Sequence, residues 1–99
     1  TRFLDIGTLD WIEADAYCVK LHVGAQEHVL RGPLGRFETE LPSAQFFRIS
    51  RSAIVNLDRI QGIRDLPGED TVVVLDGGTE LSVSPTRRRT LVDRLERGR

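Results

Sequence analysis

Arg48, Ser50, Arg51 and Ser52 fall in a stretch from Phe46 to Ile60, FFRISRSAIVNLDRI, whose polar residues suit one kind of chemistry. A guanidinium presents a planar fork of donors that grips an oxyanion or a polar edge, and a hydroxyl adds a donor or acceptor beside it. Phe47 and Ile49 alternate with Arg48 and Ser50, the period of a half-buried strand with apolar side chains inward and the cation and hydroxyl outward. The alternation fails at Arg51 and Ser52, before a continuous apolar run at Ala53, Ile54 and Val55. A break between two buried segments lifts its residues onto a surface connection. Asn56 then reads as a turn or cap residue, and Arg59 and Arg64 keep the region cationic.

A second cationic group stands near the end of the chain. Ser84 and Pro85 announce a helix as N-cap and first residue, with Leu91, Val92 and Leu95 on its buried side. Arg87, Arg88 and Arg89 then occupy its first turn, where the positive end of the helix dipole prefers carboxylates, and each misplaced cation forfeits about 0.3–1 kcal/mol. A bound phosphate would reverse that cost, and Ser84 and Thr86 would add hydroxyls to the same anion. The plainer alternative is three solvated arginines, since arginine is a good helix former.

The elements that must position these groups are mostly strands. Residues 3–14, with Phe3, Leu4, Ile6, Leu9, Trp11 and Ile12 broken by Gly7, predict two short strands or one with a bulge. Asp15-Ala16 turns the chain into a strand from Tyr17 to Val23, with Val19, Leu21 and Val23 toward the core and Cys18, Lys20 and His22 outward. Gly24-Ala25-Gln26 makes a turn and His28 to Arg31 the next strand. Pro33 opens a helix carrying Leu34, Phe37 and Leu41, and Pro42 ends it. Arg59 to Leu66 predicts a strand burying Ile60 and Ile63, Pro67-Gly68-Glu69-Asp70 a turn, and Thr71 to Leu75 a central strand. Asp76-Gly77-Gly78 is a hairpin signal, closed by Thr79 to Val83. The expectation is a single small antiparallel domain over residues 1–99, mostly β with two short helices.

At 99 residues one core can bury about 60–70% of the unfolded surface without staples. One cysteine excludes an internal disulfide and favours a reducing compartment. No apolar run approaches the roughly 20 residues that span a bilayer. The chain starts at Thr1, which suggests a piece of a longer protein. A net charge of −1 and a pI near 6.1 count against nucleic-acid binding when taken as a sum. The charge is segregated, however: acids gather at Asp5, Asp10, Glu13, Asp15, Glu38 and Glu40 and at Glu69, Asp70 and Asp76, arginines at Arg48, Arg51, Arg59 and Arg64 and at Arg87 to Arg89. Such a dipole still offers a cationic face to a phosphate backbone.

The central stretch Phe47-Arg48-Ile49-Ser50-Arg51-Ser52-Ala53-Ile54-Val55-Asn56 resembles the most recognisable segment of the LytTR-type DNA-binding domains of bacterial transcriptional regulators. Ile12 to His22 upstream, Asp76-Gly77-Gly78-Thr79 and Leu81-Ser82-Val83-Ser84 downstream, and the basic terminal helix match in the same order. The resemblance implies a mostly β domain that inserts loops, not a recognition helix, into successive major grooves of double-stranded DNA. Carried over, it places contacts at Ala16, Tyr17, Cys18, Val19 and Lys20, at Arg48, Ser50, Arg51 and Ser52, and from Ser84 through Thr86 and Arg87 to Arg88. Ala16-Tyr17 departs from the small residue and asparagine usual at the first place. Arg51 is the expected base reader, because an arginine fork pairs with guanine O6 and N7. Arg48 and Arg88 are expected on phosphates, which set register without reading sequence.

The resemblance further implies a cytoplasmic output module of a two-component response regulator, joined to a receiver or sensory domain in a parent chain that is in some cases membrane-anchored. Two copies would occupy direct repeats, and the isolated domain would be a weakly binding monomer. No cofactor and no metal is expected. Three other readings stand beside this one. A thiol or metal site from Cys18, His22 and His28 lacks ligand spacing and a nucleophile motif. A β-rich protein-interaction domain would use exposed sheet edges but leaves the arginine triplet unexplained. RNA binding would call for exposed aromatics, of which Tyr17 is the one obvious candidate.

Overall fold

The structure is a computed structural model and describes residues 5–68 and 70–98. Its strands are β1 (Trp11–Asp15), β2 (Cys18–Val23), β3 (Gln26–Arg31), β4 (Phe46–Ser50), β5 (Ala53–Asn56), β6 (Ile60–Asp65), β7 (Thr71–Leu75) and β8 (Glu80–Val83). Helix α1 (Leu34–Glu40) follows β3, helix α2 (Pro85–Arg97) follows β8, and short 3-10 turns cover Ile6–Thr8 and Leu57–Arg59. The strands form two antiparallel sheets, one ordered β3-β2-β1-β5-β4 and the other β6-β7-β8. A mostly β domain with two helices is therefore what the chain makes.

The larger sheet is covered on both faces, which explains why β5 is apolar at consecutive positions. Ile54, with Ile12, Val19, Leu21 and Phe46, packs toward Leu34 of α1. Ala53 and Val55, with Phe47 and Ile49, pack toward Val73, Leu75 and Val83 of the small sheet and Leu91 of α2. Adjacent Phe46 and Phe47 are both buried because they point to opposite faces.

Several expectations change in detail. The segment before β1 is a 3-10 turn capped by Asp5, whose carboxylate accepts from the Gly7 N–H at 2.9 Å, and only Trp11–Asp15 is strand. Phe3, Leu4 and Glu69 lie outside the described residues. β3 begins at Gln26, earlier than expected, because the turn is only Gly24-Ala25. Pro33 is the N-cap of α1 and not part of its first turn. Ile60 and Ile63 are half-buried at the rim of the core. His22 does not face solvent: its ring stacks on Trp11 with centroids 4.1 Å apart, and its Nε2 sits 3.0 Å from Glu13 Oε1.

Asn56 is the polar keystone at one end of the large sheet. It is fully buried, its Nδ2 donates to the Leu9 carbonyl at 2.8 Å, and its Oδ1 accepts from the Asp58 N–H at 2.9 Å, capping the turn that leads to β6. A buried amide with both ends satisfied fixes the chain path at modest cost.

Candidate nucleic-acid interface

Two hairpin tips project from the opposite end of that sheet. β1 and β2 join through Ala16 and Tyr17, β4 and β5 through Arg51 and Ser52. Because β1 pairs with β5, the tips are neighbours: the Ala14 N–H donates to the Ser52 carbonyl at 2.9 Å. A bulge in β4 between Arg48 and Ser50 draws in a third segment. Ile49, at the bulge, offers its carbonyl to the Ser84 N–H at 2.8 Å, which docks the β8–α2 junction against β4. Arg87 Nη1 then donates to the Arg48 carbonyl at 3.2 Å. Segments around residues 17, 51 and 87 thus meet at one end of the molecule.

The cations there divide into spent and unspent. Arg48 is spent. Its Nε donates to the Ser50 carbonyl at 3.1 Å, Nη2 to the Arg51 carbonyl at 2.8 Å, and Nη1 to Glu38 of α1 at 3.1 Å. Its side chain is 21% exposed and braces the loop that carries Arg51. Arg88 forms a two-pronged pair with Asp65 at the end of β6, Nε to Oδ1 at 3.0 Å and Nη2 to Oδ2 at 2.7 Å. This pair, together with the Thr71 hydroxyl, holds the Asp65 carboxyl below the usual carboxylate value, and Asp65 in turn raises Arg88. Lys20 Nζ lies 3.8 Å from Asp15. Arg51, Arg87 and Arg89 have no carboxylate partner among the described residues.

The hydroxyls follow the same division. Ser50 Oγ lies 3.3 Å from Ser52 Oγ and accepts from the Ser52 N–H at 3.2 Å, so both shape the loop. Ser84 caps α2 by position without a side-chain bond, and Thr86 is exposed. Tyr17 is 84% exposed at its tip. Cys18 is half-buried behind it.

Ala16 has φ of +56°, the only non-glycine residue in the left-handed region among those described. The neighbouring β2–β3 hairpin uses Gly24, at +58°, in the same place of its two-residue turn. A side chain there costs about 1–2 kcal/mol, a strain that sits where Tyr17 is presented. Arg59 and Arg64 do not belong to this end as unspent charges. Arg59 Nη2 donates to the Gly7 carbonyl at 2.9 Å and its buried Nε lies 3.1 Å from Asp10, off the hydrogen-bonding angle, while Arg64 pairs with Glu80.

The strand register takes the thiol and imidazole groups apart. Cys18 and His22 share one face of β2, whereas His28, opposite Leu21, lies on the other.

The LytTr DNA-binding domain family matches residues 1–96 of the chain. The chain belongs to that family. Comparison with curated proteins gives no significant match. Among solved structures it is similar to the LytTr DNA-binding domain of a protein described as a methyl-accepting/DNA response regulator from Bacillus cereus. The TM-score is 0.83 at 23% identity over 93% of this chain and 84% of that one, which establishes the shared fold. Membership makes this a DNA-binding domain. No helix among the described residues is long and apolar enough to cross a membrane.

Proposed function

We propose that this LytTR domain binds double-stranded DNA with sequence preference through the tip end of its large sheet, as the output module of a bacterial two-component response regulator. The observation that carries the reading is the convergence of the two hairpin tips and the start of α2, tied by main-chain bonds and by Arg87 Nη1 on the Arg48 carbonyl, with Arg51, Arg87 and Arg89 free of carboxylates and the Ser84 and Thr86 hydroxyls free of side-chain bonds among the described residues. Arg51 reads a base edge from the β4–β5 tip, Tyr17 packs from the β1–β2 tip, and Arg87 with the α2 N-terminus holds a backbone phosphate. Two tips and a helix start follow the duplex into successive major grooves. Arg48 and the Ser50–Ser52 pair act behind this surface by fixing the loop.

In this reading two copies, tethered through other parts of a parent chain, occupy direct repeats and gain affinity by effective concentration. A single dilute domain binds one half-site weakly. Selecting duplexes from a random pool tests the assignment. Arg51→Ala should lose about 1–3 kcal/mol of discrimination at one base position, whereas Arg87→Ala should weaken all duplexes and lower the salt slope by about 0.9. Equal losses on selected and random DNA for both variants would remove the distinction. Loss of affinity as salt rises separates this reading from an apolar protein interface.

A further inference from the structure

The two edges of the large sheet are treated differently. β4 is covered, since Ile49 gives its carbonyl to Ser84 and α2 packs alongside. β3 is bare, with Val29 60% and Leu30 45% exposed. The Gly32 N–H donates to the Tyr17 carbonyl at 2.8 Å, and antiparallel pairing alternates from there: 32, 30, 28 and 26 bond inward to β2. Glu27, Val29 and Arg31 therefore turn their N–H and C=O groups outward, without backbone partners among the described residues.

We infer that β3 pairs antiparallel with β3 of a second copy of this chain, about a two-fold axis at Val29. Charge selects the register. With Val29 opposite Val29 of the second copy, Glu27 faces Arg31 twice, once on each side of the axis, and each outward N–H and C=O finds a partner. Moving the axis to Glu27 or to Arg31 sets like charges against each other. On the opposite face the same register lays Leu30 over His28 of the second copy, so both exposed apolar side chains of the strand are covered. One short strand pair falls in the small, transient class of interface, so the contact forms at high local concentration and the dilute chain stays monomeric. Arg31 lies at the tip end of its strand, beside Cys18, so the two-fold points the two tip ends in opposite directions. If the DNA reading of those tips holds, the pair bridges two duplexes instead of sharing one.

Sedimentation of this chain without DNA, over a wide protein concentration range at low salt, tests the pairing independently of any DNA contact. A concentration-dependent dimer is expected. Glu27→Arg and Arg31→Glu should each weaken it about tenfold, and the two together should restore it, because the reciprocal pairs are rebuilt with signs exchanged. Val29→Pro should abolish it while circular dichroism stays native, since that N–H has no partner inside the sheet. A monomer at every concentration, association that survives Val29→Pro in a folded chain, or failure of the exchanged double variant to recover would each overturn the inference.

Discussion

The two ends of the five-stranded sheet use the same residue types to opposite effect. At the end holding Arg59, strong donors are consumed internally. Arg59 lies against Asp10 and the Gly7 carbonyl, Asp10 accepts the Gly24 N–H at 2.8 Å, and Asn56 bridges Leu9 to Asp58. At the end holding Arg51, one arginine braces the loop and another is tied to Asp65, and beyond them Arg51, Arg87 and Arg89 meet no carboxylate among the described residues. Composition alone does not separate arginines held by internal carboxylates from those left available. What separates them is whether the fold brings a carboxylate within reach, as it does for Arg48, Arg59, Arg64 and Arg88.

The largest effect should come from the closed end. Asn56→Ala leaves the Leu9 carbonyl and the Asp58 N–H without partners and removes a cap. It should cost about 2–4 kcal/mol of stability, read by chemical denaturation, with the base preference of the folded fraction unchanged. A shift in base preference as large as that of Arg51→Ala would break the contrast between the ends.

Arg48 lies between the two roles. Arg48→Ala should lower stability by about 1–2 kcal/mol and blunt base discrimination, because the Arg51 loop loses its brace. Arg48→Lys should rescue neither, as an ammonium cannot span the Ser50 and Arg51 carbonyls and Glu38 together. Were Arg48 a plain phosphate ligand, lysine would preserve most affinity, and the alanine variant would flatten the salt slope.

Asp65→Asn should release Arg88 toward the duplex, strengthening binding to all sequences and steepening the salt slope by about 0.9. The pair has its own pH signature. A carboxyl lowered by folding adds stability above its unfolded pKa, and that stability is lost as pH falls through the lower folded value. The contribution of Asp65 should therefore persist at neutral pH and fade only below its ordinary value of 3.8. In Arg88→Ala the Asp65 titration, followed by carboxyl NMR, should move back up toward that value.

The smallest effect belongs to Ala16. Replacing it with glycine at φ of +56° should stabilise the hairpin by up to about 1 kcal/mol. Looser presentation of Tyr17 should accompany the gain as a slight fall in DNA affinity.

Local signals in the chain foretold the elements well. The failed alternation at Arg51-Ser52 is a hairpin tip, Asp76-Gly77-Gly78 is a turn with both glycines at positive φ, and Ser84-Pro85 begins α2. What could not be read locally was which strands share a sheet, and with it which arginines are spent. Arg48 meets Glu38, Arg88 meets Asp65 and Arg59 meets Asp10 only because strand order brings distant segments together. The same limit hid the stacking of His22 on Trp11 and the passage of His28 to the other face. The family resemblance added what periodicity could not, because it named the three segments, 16–20, 48–52 and 84–88, that strand pairing brings to one end.

In the proposed interface the tip end, and not the closed end, meets DNA. Amide shift mapping by NMR during titration with a selected duplex tests it directly. Perturbations should concentrate at residues 15–18, 50–52 and 84–89, and residues 7–10, 24–25, 57–59 and 76–79 should stay silent. The strongest shifts falling in the second set, around Arg59 and Asp76, would place the duplex at the closed end and rule out the tip end as the interface.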